Sequence, residues 1–164
     1  MIKSKNGAIQ KTYHLENELN ETQCIKLFNY LKENVEWEEG VRSNKGFTRL
    51  ARALSVEEFG EILCEISPSV YEVIFNNINK YSLRKECIGV YLNYYKDGTQ
   101  WCPNHTHKGT TQMIISLGAT RTLKVGSKEY LSKNGDIIIF GASSHGIVKE
   151  ACEDGRISIA LFLV

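Results

Sequence analysis

The sequence contains no apolar run of the length a transmembrane helix needs. Its opening stretch, MIKSKNGAIQ, lacks the apolar segment of a secretory signal. There is no internal repeat, low-complexity tract or linker. Net charge is nearly absent, at +1 for pH 7, which argues against nucleic-acid binding by bulk electrostatics but leaves room for a local basic patch. The five cysteines, at positions 24, 64, 87, 102 and 152, form no CxxC or paired spacing. An odd count without a signal fits free thiols in a reducing compartment, so a cytoplasmic setting is expected, the nucleus included. No membrane partner is expected, and a monomer is the simplest state.

What is present is a 164-residue chain, 42% hydrophobic, the size and composition of one domain with a substantial core. Its first 85 residues read as helical support, with a role as substrate lid. Asn20-Glu-Thr-Gln23 has the form of a capping box, and Cys24, Leu27, Phe28, Leu31 and Val35 follow at helical spacing. Ser55-Val-Glu-Glu58 opens a second helix, with Phe59, Ile62 and Leu63 on one face. Ser67-Pro68 opens a third, carrying Val70, Ile74, Phe75 and Ile78. Residues 36–52 read as a hairpin between helices.

The second half changes period. Strands are expected at Met113–Leu117, Arg121–Val125, Glu129–Leu131, Ile137–Phe140, Ile147–Val148 and Ile157–Val164, separated by turns such as Asn134-Gly135. Many short strands with glycine-rich turns imply a sandwich or barrel. Three of the four histidines fall in this half: His105 and His107 in NHTH, and His145 in SSHG. Neutral imidazole ligates divalent transition metals. In extended backbone, residues i and i+2 face the same side, so His105 and His107 can converge on one ion, with His145 as third ligand. Three protein ligands leave positions open, as a reactive site requires. Cys102 lies close in sequence to the His pair, either as a further approach to the metal or as a small buried residue.

Read in order, Asn93-x-Tyr95, Asp97-Gly98, His105-x-His107, Ser116-Leu-Gly-Ala-Thr-Arg121, Gly135-Asp136, His145 and Arg156-x-Ser158 resemble the AlkB-like branch of the iron(II)/2-oxoglutarate dioxygenases. The resemblance covers residues 88–164. It implies an α+β fold in which N-terminal helices support a double-stranded β-helix, or jelly roll, at residues 86–164, all within one domain spanning 1–164. It implies Fe(II) and 2-oxoglutarate as cofactors, with His105, His107 and His145 on the metal. Asn93, Tyr95, Arg156 and Ser158 would bind 2-oxoglutarate, Arg156 pairing bidentately with its distal carboxylate. The implied reaction is oxidative demethylation of N-alkylated nucleobases in DNA or RNA, the methyl carbon leaving as formaldehyde.

Two positions depart from the family's pattern. His107 stands where the family's metal-binding Asp stands, removing one negative charge from the site. Phe162 stands where the family has a second Arg. Residues 156, 158, 160 and 162 share one face of a strand, so Phe162 faces the same pocket without a charge. The departures keep a second reading open, a jelly-roll binding module without catalysis. A third takes His107-Lys108-Gly109 as the motif, as in iron-dependent halogenases, although the spacing from Asn93 favours His105 as first ligand. A protein hydroxylase also stays among the readings.

The stretch VRSNKGFTRLAR, residues 41–52, holds Arg42, Lys45, Arg49 and Arg52 and no acid. It reads either as a solvated strand face or as a phosphate-contacting edge, with Arg49 and Arg52 beside the pocket mouth. In the second case the partner is a single strand or a flipped base.

Overall fold

The computed structural model describes residues 8–39, 42–43 and 46–164, with only the backbone described at 42, 43, 46 and 47. Lys45 and the side chain of Arg42 therefore lie outside the described residues. In chain order the elements are β1 (Tyr13–Leu15), α1 (Glu21–Asn34), β2 (Glu38–Glu39), β3 (Arg42–Ser43), β4 (Gly46–Phe47), β5 (Leu50–Leu54), α2 (Val56–Ile66), α3 (Pro68–Tyr81), β6 (Cys87–Tyr95), β7 (Cys102–His105), β8 (Thr111–Gly118), β9 (Arg121–Val125), β10 (Lys128–Ser132), β11 (Ile137–Phe140), β12 (His145–Ile147) and β13 (Arg156–Leu163).

The strands form a major sheet, β1-β11-β8-β13-β6-β5-β2, facing a minor sheet, β10-β9-β12-β7, with β3 and β4 paired separately. Neighbours pair antiparallel throughout. This is the expected jelly roll. The first 85 residues contribute more than helices, since β1, β2 and β5 join the major sheet. The hairpin expected over residues 36–52 is nested: β3 pairs β4, while β2 reaches back to β5. Within it, β5 pairs β6 from Leu50↔Tyr94 to Leu54↔Val90.

Strand alternation divides the core in two. On β13, Ile157, Ile159, Leu161 and Leu163 turn outward from the roll and meet Cys24, Leu27 and Leu31 of α1, Phe59 and Leu63 of α2, and Val70 and Ile74 of α3. Burying each large side chain contributes about 1.5–3 kcal/mol. The opposite face joins the space between the sheets with Ile114, Leu123, Val125, Ile138, Phe140 and Ile147. Helix α1 begins on the expected capping box: Asn20 accepts from the Gln23 amide at 2.9 Å, and Gln23 Oε1 accepts from the Asn20 amide at 2.8 Å. Ser55 and Glu58 repeat the device on α2. Gly135 has φ +88°, and a Cβ there would overlap the Leu19 carbonyl, so this turn between β10 and β11 requires glycine. No helix among the described residues is long and apolar enough to cross a membrane.

Candidate metal and cosubstrate site

The register of the minor sheet brings the histidines together. His105 on β7 is the direct cross-strand partner of His145 on β12, and their ring centroids are 4.2 Å apart. His107 lies two residues past the end of β7, yet its ring comes within 4.8 Å of His105 and 5.5 Å of His145. The ligand atoms of all three lie within 4.8 Å of one another. Cys102 is buried, with Sγ 3.7 Å from His105 Nδ1.

Tautomers follow from the backbone. His105 Nδ1 sits 2.8 Å from the Pro103 carbonyl, and His145 Nδ1 sits 3.0 Å from the Ser143 carbonyl. A carbonyl only accepts, so each Nδ1 carries the proton and each Nε2 keeps its lone pair. Such support fixes ring orientation and ligand basicity. Burial, with the neighbouring His105 and His107 adding to it against the Ser143 hydrogen bond, holds His145 down at about 4. Burial and His105 also lower His107, whereas the hydrogen bond with Cys102, reinforced by Pro103, raises His105. His107 and His145 are therefore held neutral at neutral pH, and His105 is the member of the trio that takes up a proton most readily.

The histidines open into a cavity of about 370 Å³ between the sheets. Tyr91, Asn93 and Tyr95 line it from β6, and Arg156, Ser158, Ala160 and Phe162 from β13. The expected inward face of β13 is thus present in full. Arg156 is 1% exposed. Its Nη2 donates to Ser116 Oγ at 2.9 Å and Ser132 Oγ at 3.4 Å, while Nε and Nη1 have no partner among the described residues. Burial pulls its pKa down to about 10, with nearby Arg121 acting in the same direction against Tyr95, so it stays charged at neutral pH. Glu150 is bonded to Arg121, at 3.3 Å. Burial and Cys102 push the Tyr95 phenol up, against the pull of Arg49, Arg156 and Arg121, keeping it a neutral hydroxyl.

A buried guanidinium with two unpaired nitrogens is costly unless an anion meets it. Its fork matches a carboxylate. The distal carboxylate of 2-oxoglutarate fits Arg156, and the three convergent imidazoles fit a divalent ion such as Fe(II).

The two positions that depart from the family's pattern touch each other. The His107 and Phe162 rings meet edge-on at 5.0 Å and 72°.

Arg49 and Arg52, expected together at the pocket mouth, are separated. Arg52 pairs with Glu38 at 2.6 Å and is not among the cavity's lining residues. Arg49 is 5% exposed and lines the cavity. Its Nε donates to Asn93 Oδ1 at 2.6 Å and its Nη1 to Thr48 Oγ1 at 2.9 Å. Asn93 therefore already accepts from Arg49, and its amide nitrogen lies 3.5 Å from Ser158 Oγ. Parity was the available signal: positions 49 and 52 face opposite sides of one extended segment.

No family model matches the sequence, and no curated protein matches it. Solved structures do. The α-ketoglutarate-dependent epimerase SnoN from nogalamycin biosynthesis aligns with TM-score 0.64 at 10% identity, over 94% of this chain and 78% of SnoN. OsALKBH1 aligns with TM-score 0.62 at 13% identity, over 93% of this chain and 98% of its own. A Pseudomonas putida prolyl-4-hydroxylase aligns with TM-score 0.64 at 11% identity, over 94% and 92%. The fold is therefore the double-stranded β-helix that these oxygenases share, with helices packed outside the major sheet.

Proposed function

We propose that the protein is an Fe(II)/2-oxoglutarate-dependent oxygenase. The observation that carries this reading is Arg156, fully buried with Nε and Nη1 unpartnered, in the same cavity as three convergent imidazoles. His105, His107 and His145 would hold the metal. Arg156 would bind the distal carboxylate of 2-oxoglutarate, with Tyr95, Asn93 and Ser158 beside it. When bound, the iron and 2-oxoglutarate together use O2 to hydroxylate a C–H bond, releasing succinate and CO2. The chain's own part is to orient the cosubstrate and exclude water. Phe140 packs against His145 at 4.6 Å, and Leu123, Ile147 and Phe162 keep the walls apolar.

The test is succinate formation from 2-oxoglutarate with Fe(II), ascorbate and O2. Turnover is expected in the wild type and expected to vanish in His145→Ala. Binding of 2-oxoglutarate without any succinate would favour the non-catalytic module instead, which the charge-free His107–Phe162 contact makes the natural second reading. Dealkylation of N-methylated nucleobases is the finer reading within that class, and it is the alternative to the small-molecule substrate argued below from Arg49. It is supported by the sequence resemblance and by the presence of OsALKBH1 among the structural neighbours. Formaldehyde release from a methylated single strand tests it.

A further inference from the structure

Two guanidinium groups face one cavity, and among the described residues no Asp or Glu lines it. Arg156 and Arg49 approach Tyr95 from the strands on either side of it. Arg156 is the cross-strand partner of Tyr95 on β13, while Arg49 immediately precedes Leu50, which pairs with Tyr94 from β5. Two strand spacings put the two backbones roughly 10 Å apart. The bonds of Arg49 go to an amide and a hydroxyl, both neutral, and among the described residues it has no carboxylate within ion-pair distance. A cation that is 5% exposed with only neutral partners is an uncompensated buried charge.

In the oxygenase reading, on which this inference rests, 2-oxoglutarate answers Arg156 and the metal. His107 in place of Asp leaves the metal's own charge unreduced by protein. Loading the site with a divalent ion and a dianion therefore leaves both guanidinium charges as the net excess. We infer that Arg49 anchors the prime substrate, and that this substrate is a small molecule carrying an oxyanion, a carboxylate or phosphate, beside an apolar body. Burial decides between a small molecule and a polymer. An anion that meets Arg49 must enter the cavity, as a terminal group does and a phosphodiester backbone does not. The cavity, about 370 Å³, lies toward the lower end of the range for small-molecule sites. The apolar body is matched by Tyr91, Leu123, Ile147 and Phe162.

The test uses the full chain loaded with redox-inert Zn(II) and saturating 2-oxoglutarate, with benzoate, phenyl phosphate and benzamide as probes in calorimetry. Benzoate or phenyl phosphate is expected to bind roughly tenfold or more tighter than benzamide, and whichever anion wins identifies the oxyanion. In Arg49→Gln the preference should fall to about twofold or less, and in Arg49→Lys it should be partly kept. Equal binding of anions and benzamide to the wild type overturns the inference without requiring any variant. So does an anion preference that survives Arg49→Gln, provided the variant melts cooperatively. A benzoate that competes with 2-oxoglutarate, together with a matching loss of 2-oxoglutarate affinity in Arg49→Gln, assigns Arg49 to the cosubstrate. That overturns the inference and leaves the oxygenase reading intact. Failure of 2-oxoglutarate to bind the Zn(II)-loaded wild type removes the oxygenase reading and this one with it. A single-stranded oligonucleotide that displaces both anions from the cavity overturns the small-molecule class.

Discussion

The contact between His107 and Phe162 makes one unit of two positions that the sequence resemblance singled out separately. His107→Asp alone returns a carboxylate to the metal but sets it against the Phe162 ring, 5.0 Å away between centroids. Phe162→Arg alone adds a third cation to a cavity that no carboxylate lines. The pair together restores opposite charges in contact. Metal affinity is therefore expected to rise modestly in His107→Asp, fall in Phe162→Arg, and rise furthest in the double variant. The coupling should be about 1–3 kcal/mol, read by Zn(II) calorimetry on all four proteins. Strict additivity would show that the two positions do not communicate. At this scale the trio His105, His107 and His145 was legible because its members lie in a recognisable order. Arg156 was legible as an Arg opening an apolar strand. The inward turn of Arg49 was missed because the run at 41–52 was read for its charge, whereas parity along β5 decides which cations enter the cavity.

Elements were legible wherever period and punctuation agreed. Arg121–Val125 and Ile137–Phe140 have their expected bounds, and the helices begin on their capping residues. What escaped was pairing between distant segments. β1 is three residues long, too short for a periodic signal, and its place beside β11 is set by tertiary contact. His14 there reaches Asp136 at 2.8 Å, giving a function in the fold to the one histidine outside the trio. β13 shows why a single strand can serve both stability and chemistry: its odd positions from Ile157 to Leu163 meet the helices, and its even positions line the cavity. Helix α1 contacts β8 from the outside of the roll, so its stability is separable from the site. Asn20→Ala removes an acceptor from the capping box and is expected to cost about 1 kcal/mol, a fall of roughly 2–4 °C in melting temperature. Zn(II) affinity should be unchanged. A matching loss of metal binding would mean that α1 positions the site after all.

For the molecule as a whole, the site is built at the expense of stability, because the cavity holds uncompensated cations and buried imidazoles. His145 gives this a pH signature. Its folded pKa, about 4, lies below the ordinary value near 6.5. Between those values the unfolded chain binds the proton that the folded chain refuses, so His145 makes stability fall as pH drops from about 6.5 to about 4. The gap corresponds to roughly 3 kcal/mol. His107, also lowered, acts in the same direction, while the raised His105 adds stability as pH falls toward its unfolded pKa and a constant amount below it. Comparing metal-free wild type with His145→Asn isolates the first contribution. Urea unfolding should show the wild type losing more stability than the variant between about pH 7.5 and about pH 4.5. Parallel losses would place the acid sensitivity elsewhere. Ligands reverse the same cost from the other side. Zn(II) and 2-oxoglutarate at about a hundred times their dissociation constants should each add roughly 2.7 kcal/mol, or about 5–10 °C in melting temperature. The 2-oxoglutarate increment should depend on prior metal loading and should disappear in Arg156→Met, which keeps the bulk but not the fork. An increment that survives Arg156→Met would show that the carboxylate is held by another group and that the buried guanidinium of Arg156 has a purely structural role.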